Sequence, residues 1–147
     1  MVLVIHTVSD EELRLLLSIS KTIAVVGCSS NPQKEAHRIP KYLQDNGYRI
    51  IPINPNQKEI LGETAYPSLS ALSFSPDIVN VFRPSQECPQ IAREALKLTP
   101  RLLWLQLGIK NAEAEEIAKD AGIPFIQDRC IMLEHRRLFK NSDIQNF

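Results

Sequence analysis

The 147-residue chain is short of several features that would assign it to a class at once. It has no net charge, its 17 basic residues being balanced by 17 acidic ones. No overall basic field therefore recruits nucleic acid or an anionic membrane, and any anion site must be local. No apolar run approaches the roughly 20 residues needed to span a bilayer. The opening MVLVIHTVSD is too short for a signal peptide and carries no basic leader, so no secretory targeting is expected. Cys28, Cys88 and Cys130 are odd in number and form no CxxC pair. That argues against a disulfide framework or a structural zinc site, and it suits a reducing cytoplasm. His6, His37 and His135 are scattered without ligand spacing, so no metal site is expected.

What is present is an ordinary globular composition, 44% hydrophobic and 23% charged, in a length that suits one domain with one substantial core. Ser9 and Glu12 have capping-box spacing ahead of Leu13, Leu15, Leu16, Leu17 and Ile19, which predicts a leading helix from Ser9 to about Ser20. Thr22 to Val26 is a short apolar run ended by Gly27, the pattern of a fully buried strand. After the polar loop CSSNPQKEAHR, a helix runs to about Asn46 and stops at Gly47. Pro40 cannot sit deep inside that helix, so its regular part is expected to begin only a few residues before the proline. Tyr48 to Ile53 reads as the second strand, closed by Pro52 and the Asn54-Pro55-Asn56 turn. Residues 57–76 read as an irregular connection with one helical turn near Ser68 to Leu72.

Further strands follow at Ile78 to Phe82, Leu102 to Leu107 and Pro124 to Ile126. Between them, one helix opens at Ser85 and runs to Leu98, and another is capped by Asn111 and ends at Ala121-Gly122. A brief amphipathic stretch covers Ile131 to Phe139. This alternation with short connections predicts an α/β fold: a doubly wound, Rossmann-like parallel sheet of about five strands with helices on both faces. Residues 1–20 form a helical lead-in, 21–139 the domain, and 140–147 a polar tail expected to fray.

Ligands of such sheets bind beyond the carboxyl ends of the strands, near the point where strand order reverses. Those ends carry Gly27-Cys28-Ser29-Ser30, Asn54-Pro55-Asn56, Phe82-Arg83-Pro84, Gln106-Leu107-Gly108 and Asp128-Arg129-Cys130. Turn residues occur at any strand end, but turn geometry does not favour Phe82-Arg83 or Gln106. The first loop is the most informative. A glycine there lets the chain turn sharply, and the N–H groups opening the next helix can hold a phosphate. The dinucleotide fingerprint needs three glycines and an acid roughly 20 residues on. This loop has only Gly27, followed by Ser29, Ser30 and Pro32, and the second strand ends without a carboxylate, so NAD is disfavoured. Lys34, His37 and Arg38 add cationic or donor groups. A solvated loop would hold such residues too, but Ser29, Ser30 and Lys34 just past Gly27 favour an anion site.

The segments AVVGCSSNPQK, IIPINPN, VNVFRPS, LLWLQLGIKN and DRCIMLEHRRL, in this order, resemble the small stand-alone CoA-binding proteins and, more distantly, the CoA-binding domain of the succinyl-CoA ligase α chain. The resemblance covers roughly residues 20–139. It implies coenzyme A as the ligand, with Gly27, Ser29 and Ser30 in the phosphate loop and Lys34 and Arg38 as partners of the phosphates. It implies that Asn54 and Pro55 shape the adenosine side, that Phe82 and Arg83 line the cleft near the nucleotide, and that Gln106, Gly108 and Ile109 form the facing wall. Relatives often carry Lys or Arg where this chain has Asn56. The ligase's phosphorylated histidine lies in a domain not matched here, so ligase activity does not transfer, and no catalytic residue is assigned.

Three rival readings stand beside this one. Cys130 lies near Asp128, Arg129, Glu134 and His135, and a thiol enzyme would use Cys130 as nucleophile and His135 as base. A nucleotide-linked oxidoreductase is the second rival, weakened by the missing glycines. The third is a protein-interaction module with a vestigial cleft. Nothing in the sequence supports a protein partner or a homo-oligomer, and nothing excludes either.

Overall fold

In the computed structural model, the backbone is described for residues 7–145 and the side chains for residues 7–140; His6 lies outside both. Helix α1 (Asp10–Ile19) starts as its cap requires, the Ser9 hydroxyl accepting from the Glu12 N–H at 3.1 Å. Then come β1 (Thr22–Val26), α2 (Glu35–Asp45), β2 (Arg49–Ile53), β3 (Glu59–Ile60) and β4 (Glu63–Thr64). They are followed by β5 (Ile78–Val81), α3 (Cys88–Leu96), β6 (Leu102–Leu105), α4 (Ala112–Asp120), β7 (Phe125–Ile126) and α5 (Ile131–Gln145). Asn111 caps α4 through its side-chain oxygen, 2.8 Å from the Ala114 N–H.

The main sheet has five strands in the order β2-β1-β5-β6-β7, and every pairing in it is parallel. Alternate residues of each strand feed two separate cores. Ile23, Val25, Ile50, Ile78, Leu102 and Trp104 face α1, α2 and α5. Ala24, Val26, Ile51, Val79, Val81, Leu103 and Leu105 face α3 and α4. The doubly wound architecture expected from the sequence is therefore present. Trp104 is fully buried, and its indole N–H is satisfied by the Arg129 carbonyl at 2.8 Å. Pro52, which has no N–H to give, sits on the edge strand β2, where its carbonyl accepts from Tyr66 at 2.9 Å.

Two segments differ from the sequence expectation. Residues 57–76 contain the antiparallel hairpin β3–β4 before a single helical turn at Leu69–Ala71. Its two-residue loop, Leu61-Gly62, has positive φ at both positions (56° and 76°), the geometry of a primed hairpin turn. Leucine is an unusual residue there, so the turn was not signalled. The second difference is α5, whose backbone is helical from Ile131 to Gln145, past the Phe139 end read from the sequence. The apolar stripe ends at Phe139, but no glycine or proline follows to stop the backbone.

The amino ends of the central strands are tied together by Asp77. Its carboxylate accepts from the N–H groups of Lys21 (2.7 Å) and Thr22 (3.1 Å), its own N–H donates to the Thr22 hydroxyl (2.9 Å), and Arg101 lies 3.5 Å away. Burial pushes the Asp77 carboxyl up, but those two N–H donors and Arg101 outweigh it, and its pKa lies below the ordinary 3.8. A carboxyl held low in the folded state stabilises fully above its unfolded value and loses that contribution as pH falls through the folded one. Asp77→Ala should cost about 1–3 kcal/mol at pH 7, since it orphans both donors. Urea unfolding at neutral pH, and again below the ordinary carboxylate range, checks this. The difference between variant and parent should shrink in acid, and a pH-independent difference would contradict the ionic account.

Candidate functional site

Strand order reverses between β1 and β5, because the chain leaves β1 towards β2 and returns across it to β5. At that point Gly27 follows β1 with φ 87°, and Phe82-Arg83 follows β5. A Cβ on Gly27 would lie 2.7 Å from the Phe82 carbonyl oxygen and 2.9 Å from the Arg83 side chain. Only glycine fits, on both conformational and steric grounds. The Gly27 N–H donates to Ile53 (3.0 Å) and the Phe82 N–H to Val26 (2.8 Å), so the three strand ends are stitched together under the cleft.

The loop from Cys28 to Lys34 is held by local bonds of several kinds. The Ser29 hydroxyl accepts from the Asn31 N–H (3.0 Å), and the Asn31 side chain accepts from Gln33 (2.9 Å). The His37 Nδ1–H donates to the Ser29 carbonyl at 2.7 Å. The Ser29 N–H donates to the Ala36 carbonyl at 3.0 Å. Pro40 explains why that carbonyl is available, since it stands four residues later in α2 and has no N–H to fill it. Pro40 is the sixth residue of the helix, and its usual disruption falls on the one carbonyl that the loop needs. Lys34 occupies the position before α2, with no side-chain cap on the helix's first N–H groups.

Around this loop lies a cleft of about 470 Å³ whose lining includes Gly27, Ser29, Lys34, Asn54, Pro55 and Arg83. Those are six of the residues named from the sequence. Asn54 also braces the cleft, donating to the Cys28 carbonyl at 2.9 Å and accepting from the Asn56 N–H at 2.7 Å. Ser30 is exposed on the loop. Phe82 contributes its carbonyl beside Gly27, while its ring packs against the core under α1, α2 and α5. Arg38 turns back to the Gln33 carbonyl and, with Gln106, lines a neighbouring groove between α2 and α5. Gln106 is buried, its side-chain oxygen accepting from the Ile131 N–H (3.2 Å) and from Asn80 (3.3 Å). Gly108 donates to Asp128 at 2.7 Å, and Ile109 packs on the α3–α4 core; neither lines the cleft.

Sequence reasoning missed Glu87, Glu94, Ile91 and the Pro67-Ser68-Leu69 rim, all of which line the cleft. Glu87 grips Arg83 with two bonds of 3.0 and 2.8 Å. The i,i+4 spacing of the two residues was the available signal. Hydrogen bonding from Arg83 holds the Glu87 carboxyl below its ordinary value. Burial pushes the Cys28 thiol up to about 12, so it is protonated and a poor nucleophile at neutral pH.

A glycine-turned loop at the switch point of the β2-β1-β5-β6-β7 sheet has the geometry of a nucleotide site, and the family of CoA binding domains matches residues 21–136. The chain belongs to that family. This CoA-binding domain is 42% identical over 127 residues to the uncharacterized protein YneT of Bacillus subtilis, covering 86% of this chain and 94% of that one. A solved protein from Thermus thermophilus, cell-free ID.343, shares 48% identity with a TM-score of 0.85 over 89% of this chain and 99% of its own. The ADP-forming acetate–CoA ligase of Methanocaldococcus jannaschii is 28% identical over 141 residues, which is 90% of this chain but 20% of the ligase. The CoA-binding domain thus spans about a fifth of that enzyme.

Gly27→Ala should lower stability by about 1–3 kcal/mol, because the positive φ and the Phe82 carbonyl both oppose a methyl group. Denaturant unfolding measures it. A neutral substitution would mean that the β1–β5 junction is not closed as described.

Proposed function

We propose that this protein binds coenzyme A, or an acyl-CoA, with the nucleotide in the cleft at the β1–β5 switch point, and that it performs no chemistry of its own. The observation that carries the reading is the loop after Gly27, pinned by His37 and the Ala36 carbonyl so that the start of α2 and Lys34 border the cleft. Such an arrangement suits a diphosphate, which backbone donors and a cation hold together. Ser29 and Ser30 then flank the phosphates, Asn54 and Pro55 the adenosine side, and Arg83 the far wall. The apolar groove between α2 and α5, lined by Leu107, Cys130, Met132 and Leu133 beside Gln106, suits the pantetheine arm. Arg38 stands at that groove as a second phosphate partner.

The arrangement of Cys130 and His135 supports binding over catalysis. His135 is engaged by the Tyr42 hydroxyl at 2.7 Å and packed between Tyr48 and Phe139, so its ring is committed to the α2–α5 contact. All three thiols are free and buried, which fits a cytoplasmic protein. Among the described residues no helix is long and apolar enough to cross a membrane.

Coenzyme A should raise the melting temperature, as a ligand bound only to the native state must, and NAD at the same concentration should do little. Lys34→Ala removes a charge-assisted bond and should weaken coenzyme A about 10- to 100-fold by titration calorimetry. Arg38→Ala should act similarly only if its guanidinium reaches a phosphate. A larger thermal shift with NAD, or no loss with either variant, would overturn the assignment.

A further inference from the structure

Coenzyme A differs from dephospho-CoA by one ribose phosphate monoester, a group that brings about −1.5 to −2 charge at pH 7. Selection for that group needs a cation free to meet it. Among the described residues the cleft lining holds two cations, Lys34 and Arg83, against two carboxylates, Glu87 and Glu94. The lining is therefore formally neutral. Lys34 has no ion-pair partner among the described residues and stands at the start of α2, where the diphosphate is best held. Arg83 is already committed, its guanidinium bidentate to Glu87 at 3.0 and 2.8 Å. Asn56, at the tip of the neighbouring turn, is neutral and lines the same cleft.

An exposed ion pair is weak, so a phosphate could in principle pull Arg83 away. Doing so would leave the Glu87 carboxylate bare beside the incoming anion, with Glu94 in the same lining. The exchange replaces one ion pair by another and adds a like-charge contact. On the reading that the cleft takes coenzyme A, we propose that Glu87 is a specificity-determining residue. By holding Arg83 it leaves the cleft with no free cation beyond Lys34, which the diphosphate takes, so the protein accepts coenzyme A and dephospho-CoA with near-equal affinity.

Titration calorimetry of the full chain with both ligands tests this. The parent protein should bind them within about threefold of each other, since no charge-assisted bond distinguishes them. Glu87→Gln frees Arg83 and should tighten coenzyme A by about 3- to 10-fold more than it tightens dephospho-CoA, an exposed-site discount on a full charge-assisted bond. Adding Arg83→Ala to Glu87→Gln should abolish that gain. A parent preference for coenzyme A of more than about threefold would overturn the proposal, and so would a Glu87→Gln variant with an unchanged ligand ratio. If the parent binds neither ligand, the coenzyme A reading itself falls, an outcome distinct from binding with the wrong preference.

Discussion

The approach of Gly27 to the Phe82 carbonyl, closer than any side chain would permit, sets the geometry from which the cleft follows. At this junction the strand order reverses, and the helices that follow β1 and β5 pack on opposite faces of the sheet. Two loops are thereby forced apart above a shared floor, and a cavity is left between them. With a Cβ at Gly27, the β1 and β5 ends would have to separate, and the Gly27–Ile53 and Phe82–Val26 hydrogen bonds would lengthen with them.

A second constraint acts on the loop itself. A proline inside a helix normally leaves a carbonyl unsatisfied, a local cost that makes it rare there. In α2 the carbonyl left open by Pro40 is that of Ala36, and the Ser29 N–H fills it. His37, one residue further on, clamps the Ser29 carbonyl in return. Ser29 is thus fixed through both its backbone groups by the helix whose start borders the cleft. These bonds are made within the chain itself, and a loop so held has less conformational freedom to lose on binding.

Much of this was legible in the sequence because it is written in local rules. Ser9 with Glu12, Asn111 before Ala114, and the apolar run Thr22–Val26 each announce an element through capping or burial, and the structure places those elements accordingly. The strand-end residues Gly27, Ser29, Lys34, Asn54, Pro55 and Arg83 could be assembled once the fold class was known, since doubly wound sheets present such ends to one edge. The illegible parts depend on tertiary context. The Leu61-Gly62 turn uses a residue that rarely tolerates positive φ, so only the paired strands reveal it. Phe82 resembles a cleft residue in sequence, yet its side chain follows strand alternation into the core. Glu87 sits on the single helical turn before α3, and its bearing on the cleft depends on where Arg83 turns.

On the proposed reading, coenzyme A meets this protein at the amides between Gly27 and Ala36, and not in the groove between α2 and α5 alone. The amide spectrum of nitrogen-labelled protein titrated with coenzyme A reads this residue by residue. The largest perturbations should fall on Ser29 to Ala36, with smaller ones at Asn54 and Arg83. Perturbations confined to Tyr42, Leu133 and Arg136, with the loop after Gly27 unmoved, would contradict it.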